Sequence, residues 1–283
     1  AQIEAGQMLD IPLYRLQHEV YGLNHLSWTR SVNIDADENN QNGEEVLKGL
    51  LTDEAFIQRT HMNIFDEGLR HWQGTFMNEY LHYYYHRDDV LQSLIAKEES
   101  RGEEVLRLTT DMLNQLQSSG SVDEQLKIYH DIMNARSNSY MAHAHETSTS
   151  SQESHDEDEG YAGVALSCVE AIARDKHLYT GLNVPNSGTI SGMRDSDIVE
   201  VGCHVDSNGI HPVPIGDIPD HQYQLMLSIK QYERLASEAI LSRSKDTAIQ
   251  ALTVHPLVGS YPLAEKLVND FINAHQEWIG EWQ

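Results

Sequence analysis

The chain has 283 residues, 40% of them hydrophobic, enough to bury one sizeable core as a single domain. Its 44 acidic against 19 basic residues give a formal charge of -25, which repels a phosphate backbone and excludes a nucleic-acid role. No run of about 18 apolar residues offers a membrane span, Ala1–Asp10 carries no basic and then apolar leader, and Cys168 and Cys203 make no disulfide framework, so a soluble protein of the reducing cytoplasm is expected.

Ala1 to Leu9 has helical character and stops before Pro12. Strand patterns follow at His18–Asn24 and Trp28–Asp35, with Trp28, Val32 and Ile34 on even positions. The acidic, Asn-rich run Asp35–Gly43 reads as a loop. From Glu44 to Ser137 the pattern is mainly helical, with breaks near Leu51–Asp53, Gly74, Gly102 and Ser118–Ser121, and Ser121 with Glu124 matches a capping box.

Between Ala142 and Glu159 the composition changes to His, Ser, Thr, Glu and Asp without apolar period, which predicts an acidic surface insertion at 142–159. Tyr161–Lys176 is helical by spacing, and Leu178–Val184, Ile198–Val205 and Ile210–Val213 read as strands separated by turns at Asn186-Ser187-Gly188 and Asp206–Gly209. Pro219–Trp282 is helical with a break at His255-Pro256. Hairpin-like links between strands, with helices before and after them, predict one α+β domain over 1–283. No Gly-x-Gly-x-x-Gly follows a strand, and there is no Walker loop.

Three stretches could carry chemistry. In Tyr21-Gly22-Leu23-Asn24-His25-Leu26-Ser27-Trp28 a histidine stands beside an amide within an apolar strand pattern. A neutral imidazole there can ligate a first-row metal, with Asn24 orienting a substrate hydroxyl; the alternative is a buried histidine satisfied by a backbone carbonyl. In Glu79-Tyr80-Leu81-His82-Tyr83-Tyr84-Tyr85-His86, helical spacing puts Tyr80, Tyr83 and Tyr84 on one face and His82 with His86. Amphipathic packing is one explanation of that face, and a tyrosinate base stabilised by a nearby cation is the other. Arg101 opens a helix in Ser100-Arg101-Gly102-Glu103-Glu104-Val105, where it suits an anion or simply pairs with the adjacent glutamates.

These stretches, with Asn186-Ser187-Gly188-Thr189-Ile190, Val199-Glu200-Val201-x-Cys203, Glu233-Arg234-Leu235, Ala251-Leu252 and His255-Pro256-Leu257, occur in the order seen in glycoside hydrolase family 4. The chain resembles the C-terminal part of that family, most closely its 6-phospho-β-glucosidase branch. The resemblance implies a fold of the lactate dehydrogenase-like type, with helices around an antiparallel or mixed sheet. It also implies NAD and a divalent metal, usually manganese, acting on a phosphorylated disaccharide or β-glucoside, in a homo-oligomer. The implied chemistry is oxidation at C3, removal of the C2 proton by a tyrosine, elimination at C1, addition of water and return of the hydride. The implied roles are metal ligand for His25, base for Tyr80, substrate contact for Asn24 and phosphate contact for Arg101.

Departures from the family pattern qualify these expectations. The Cys-Asn metal motif and the N-terminal Rossmann domain of the family have no counterpart in this sequence, and neither Cys168 nor Cys203 takes the place of that cysteine. The acidic insertion replaces an Arg-Gly-Gly segment, and Pro185 stands where arginine is common. The isolated chain is therefore expected to be inactive, as half of an active site. The reading from a different class is a noncatalytic sugar-phosphate binding or assembly module that keeps the fold.

Overall fold

In a computed structural model, residues 1–35, 43–139 and 161–283 are described; the 142–159 insertion and most of the 35–43 loop lie outside them. Helix α1 (Gln2–Leu9) leads into the hairpin of β1 (Leu16–Leu23) and β2 (Leu26–Ile34), both strands starting two residues before the pattern suggested. A segment of short helices follows: α2 (Leu47–Leu50), α3 (Glu54–Arg59), α4 (Glu67–Gln73), α5 (His82–Tyr85) and α6 (Arg87–Ala96). Two longer helices, α7 (Arg101–Ser118) and α8 (Val122–Asn138), pack on each other.

The helical reading of Glu44–Ser137 needs one correction, because β3 (Glu44–Glu45) and β4 (Phe76–Met77) both pair antiparallel with β2. Two residues are too few to display alternation, and only the β2 edge makes them strands. Gly102 is also no break. It lies inside α7, whose N-terminus is a capping box between Ser100 and Glu103. At the next helix Ser121 accepts from the Glu124 amide, while the Glu124 carboxylate reaches the Gly120 amide instead of closing the box on Ser121.

Helix α9 (Tyr161–Arg174) precedes β5 (Leu178–Pro185), β6 (Ile198–Asp206) and β7 (Gly209–Pro212). The sheet runs β3-β2-β1-β6-β5, with β4 beside β2 and β7 beside β6, and every strand pair is antiparallel. This is the α+β architecture expected. The C-terminal part is α10 (Asp220–Ser242), α11 (Lys245–Val254) and α12 (Tyr261–Ile279), broken at His255 as read and also at Arg243, a left-handed residue followed by the N-cap Ser244.

Alternation along β6 puts Val199, Val201, Cys203 and Val205 fully into the core, while Ile198 and Glu200 face the other way. Tyr21, Leu23, Leu26 and Trp28 join that core from the hairpin. A buried chain of amides locks the hairpin to α10: the Tyr21 hydroxyl donates to Gln222 at 2.6 Å, and Gln222 donates to Gln73 at 2.8 Å. A smaller cluster, Ile249, Ala264, Val268 and Ile272, holds α11 to α12.

Candidate functional site

The hairpin turn consists of Asn24 and His25, since Leu23 pairs with Leu26. His25 takes a left-handed backbone, φ 59°, which leaves its exposed side chain at the tip rather than in a strand. Gly22 makes this tight reversal possible. A Cβ at Gly22, with φ 149°, would come within 2.5 Å of the Ser27 Cα.

Tyr80 reaches the same place from a 3₁₀ turn, Glu79–Leu81, that runs into α5. Asn78 caps the turn, its side chain accepting from the Tyr80 amide at 3.0 Å. The Tyr80 and His25 rings lie 4.8 Å apart between centroids, so the structure unites two residues that the sequence separates widely.

The tyrosine face predicted from helical spacing is divided. Tyr80 and Tyr83 stack at 6.3 Å across the junction of the 3₁₀ turn with α5, where the tighter winding brings residues three apart nearly into line. Tyr84 turns instead toward His255, and Tyr85 toward Trp72. Burial pushes the phenols of Tyr83 and Tyr84 up, and that of Tyr85 up to about 12. These three are held neutral at ordinary pH. His82 and His86 do share a face, stacked at 4.7 Å.

Arg101 sits at the start of α7, where it donates to Glu104 at 2.8 Å, to Ser139 at 2.7 Å and to the Arg136 carbonyl at 2.9 Å. It thereby ties the start of α7 to the end of α8. Its charge also reaches Tyr83, where it opposes the upward push of burial. Ring contacts thus link His25 to Tyr80 and Tyr80 to Tyr83, with Arg101 near enough for its charge to act on Tyr83.

Sequence reading assigned no role to Glu200, Ser27 or Asn183. Ser27 donates to the Glu200 carboxylate at 3.0 Å, and the Asn183 amide faces Asn24 at 3.4 Å. Burial raises the Glu200 carboxyl, against the Ser27 hydroxyl and the charge and backbone of His25. The available signal was a lone carboxylate among the apolar residues of the Ile198–Cys203 run.

As a metal donor set, the site offers the exposed His25 imidazole with a carboxylate at its base. That suits one edge of a first-row metal site. Among the described residues no three His, Cys, Asp or Glu side chains gather to hold an ion. Cys203 lies on the opposite face of β6 from Glu200, with burial pushing its thiol up to about 11. A separate cavity of about 230 Å³ is lined by Trp72, Tyr84, Tyr85, Arg87, His221 and Leu257, and none of Asn24, His25, Tyr80 or Arg101 borders it.

Residues 20–258 match the model of the family 4 glycosyl hydrolase C-terminal domain. The chain belongs to this family. Its relatives include the 6-phospho-beta-glucosidase BglT of Thermotoga maritima, 25% identical over 280 residues that cover 98% of this chain and 58% of BglT. The Escherichia coli 6-phospho-beta-glucosidase is 26% identical over 271 residues, covering 93% and 54%. Phospho-alpha-glucosidase PagL of Clostridium acetobutylicum is 32% identical over 121 residues, covering 43% and 27%. The family 4 chain described here thus spans little more than half the length of the relatives it matches along its whole extent.

The fold agrees with that membership. The Thermotoga maritima 6-phospho-beta glucosidase, solved with NAD and glucose-6-phosphate, superposes with a TM-score of 0.74 at 23% identity over 98% of this chain and 58% of that one. A 6-phospho-alpha-glucosidase from gut microorganisms, in complex with NAD and Mn2+, gives 0.69 at 19% identity over 99% and 59%. Among the described residues no helix is long and apolar enough to cross a membrane.

Proposed function

We propose that this chain supplies the substrate- and metal-facing part of a phosphoglucosidase acting on a phosphorylated β-glucoside. The observation that carries this reading is the 4.8 Å approach of the His25 and Tyr80 rings, beside the exposed Asn24 amide. Family membership supplies the substrate class. A sugar lying over the hairpin tip would meet Asn24 through a hydroxyl, and the Tyr80 oxygen would take the proton from C2. Arg101, beyond Tyr83, would face the sugar phosphate through its charge.

His25 would hold one edge of the metal, a divalent ion such as manganese, which supplies Lewis-acid polarisation of the sugar oxygens when bound. NAD fits the family, but no described residues form a strand, glycine turn and helix able to cradle a dinucleotide. Self-association, which the family resemblance implies, would cover the apolar residues Phe271 and Trp278, 55% and 80% exposed and seven residues apart on α12.

Nuclear magnetic resonance with glucose 6-phosphate and Mn2+ tests the reading on the chain as it is. Saturable changes are expected at the Asn24 and His25 amides and the Tyr80 ring. Changes confined to other surfaces up to millimolar ligand would overturn it. The isolated chain, supplied with NAD and Mn2+, is expected to leave p-nitrophenyl 6-phospho-β-glucoside intact. Turnover above a mock purification would overturn the assignment of half a site to this chain.

A further inference from the structure

We infer that Glu200 is the positioning residue of the Asn24–His25 turn, gripping its base through Ser27 past the side-chain-free Gly22. The inference deepens the proposed site and rests on that reading for its functional meaning, while the grip itself stands on the geometry of the sheet.

Register comes first. Ser27 pairs with Gly22 across the hairpin, Gly22 pairs with Glu200, and Glu200 pairs with Asn183, so four strands align Ser27, Gly22, Glu200 and Asn183 in one row. Residues in such a row share a face of the sheet. Three of them carry polar side chains, and the one between Ser27 and Glu200 carries none. Two strands normally keep side chains on either side of a third about 9–10 Å apart, twice the strand spacing. Glycine at the middle position lets the long glutamate arm lie across β1 and accept from Ser27 at 3.0 Å.

The gap has a second cause that reinforces the first. At Gly22 a Cβ would come within 2.3 Å of the Leu26 carbonyl oxygen and 2.8 Å of the Ser27 Cβ. The close approach of β2 thus keeps Gly22 free of a side chain in the row between Ser27 and Glu200. On the remaining side of the row, Asn183 donates to the Asn24 side chain at 3.4 Å. Glu200 and Asn183 therefore hold the two turn residues from adjacent strands, one through Ser27 and the His25 backbone, the other through Asn24.

This arrangement answers a mechanical need. His25 is exposed, and its left-handed backbone is one that a non-glycine residue adopts only when its surroundings fix it. Core packing fixes Leu23 and Leu26 on either side of the tip, but neither of them touches its exposed face. A carboxylate that accepts from Ser27 at 3.0 Å and faces the His25 backbone supplies the missing hold. Val199 and Val201, buried at 0% on the other face, set Glu200 rigidly in place.

The test compares Glu200→Gln, Glu200→Ala and Ser27→Ala in the full chain, with amide hydrogen exchange as the first measurement. Glu200→Ala is expected to speed exchange at His25 at least tenfold while exchange at Val32 and Leu81 stays within twofold. Glu200→Gln keeps an acceptor oxygen of the same reach and is expected to stay within threefold of the wild type at His25. Ser27→Ala should fall between the two. If Glu200→Ala leaves His25 exchange unchanged, or if Glu200→Gln is as loose as Glu200→Ala, the inference is overturned. Should Glu200→Ala fail to fold, Ser27→Ala decides, and wild-type exchange at His25 in that variant overturns the grip.

Mn2+ alone gives the second measurement, through broadening of the His25 ring resonance. The concentration for half-broadening is expected to rise at least fivefold in Glu200→Ala and to change less than twofold in Glu200→Gln, a split that a general loss of stability would not produce. Absence of broadening in the wild type counts against His25 as a metal ligand, not against the grip, which the exchange arm decides by itself.

Discussion

The β1–β2 hairpin and the α7–α8 pair are both antiparallel units joined by a few residues, yet they are held in opposite ways. In the hairpin, Tyr21, Leu23, Leu26 and Trp28 are exposed by 3% or less. Neither α7 nor α8 contains a single buried residue, and Leu106, Leu113 and Leu126 remain exposed at 67%, 52% and 52%. The hairpin is therefore a product of the core. The helical pair depends on its ends: the Ser100–Glu103 box, the Ser121 cap, and Arg101 bridging to Ser139 and the Arg136 carbonyl. The candidate site draws on both regions, with His25 on the rigid unit and Arg101 on the end-capped one. Geometry around Tyr80 should therefore be stiff toward the hairpin and compliant toward Arg101.

The strongest way to break this contrast is Trp28→Ala. Removing the largest fully buried side chain should cost about 3–5 kcal/mol in urea denaturation. A loss below about 1 kcal/mol, the scale of an ordinary single mutation, would remove the core as the hairpin's support.

Next in size is Tyr80→Phe in the chain joined to a family 4 dinucleotide domain. Turnover of a 6-phosphoglucoside should fall at least about 10²-fold, equivalent to about 2.7 kcal/mol, with the melting temperature unchanged. His25→Ala should instead raise the Mn2+ requirement. Normal turnover by Tyr80→Phe, with a collapse in Tyr83→Phe, would move the base to the neighbouring ring.

Ser100→Ala should cost about 1 kcal/mol, the usual worth of a helix cap, with the loss confined to exchange protection in α7. Equal losses in α7 and the sheet would show that the pair is coupled to the core after all.

Acid offers a smaller and graded contrast. The Glu103 carboxyl is held below its ordinary 4.5 by the Ser100 backbone and hydroxyl, and that of Glu104 by Arg101. A depressed folded value means stabilisation present above the ordinary carboxylate range and lost as pH falls through the depressed one. Helix circular dichroism should therefore decline below about pH 4.5 before the environment of Trp28 changes. Simultaneous loss of both signals would contradict the separation. Smallest of all, Leu106→Ala should change stability by no more than about 0.5 kcal/mol, as for a surface position.

Much of the fold was legible because periodicity is local. Leu178–Pro185 and Ile198–Asp206 advertise themselves through alternation and flanking turns, and the His255 break through its proline. Phe76–Met77 did not, since its strand state exists only against Trp28 and Thr29. Family motifs pointed to His25, Tyr80, Asn24 and Arg101 before any contact was visible, but not to the split of the tyrosine face between 3₁₀ and α geometry.

By itself, then, the sequence determined the order of the main elements, the α+β class and the family, since each depends on residue types at fixed short spacings. Tertiary structure decided which distant segments meet. That His25 lies 4.8 Å from Tyr80, and that Ser27, Gly22, Glu200 and Asn183 fall in one row, follows from strand register across the sheet. Register is set by hydrogen bonds and core packing between segments far apart in the chain, and a shift of one residue would turn Glu200 to the opposite face.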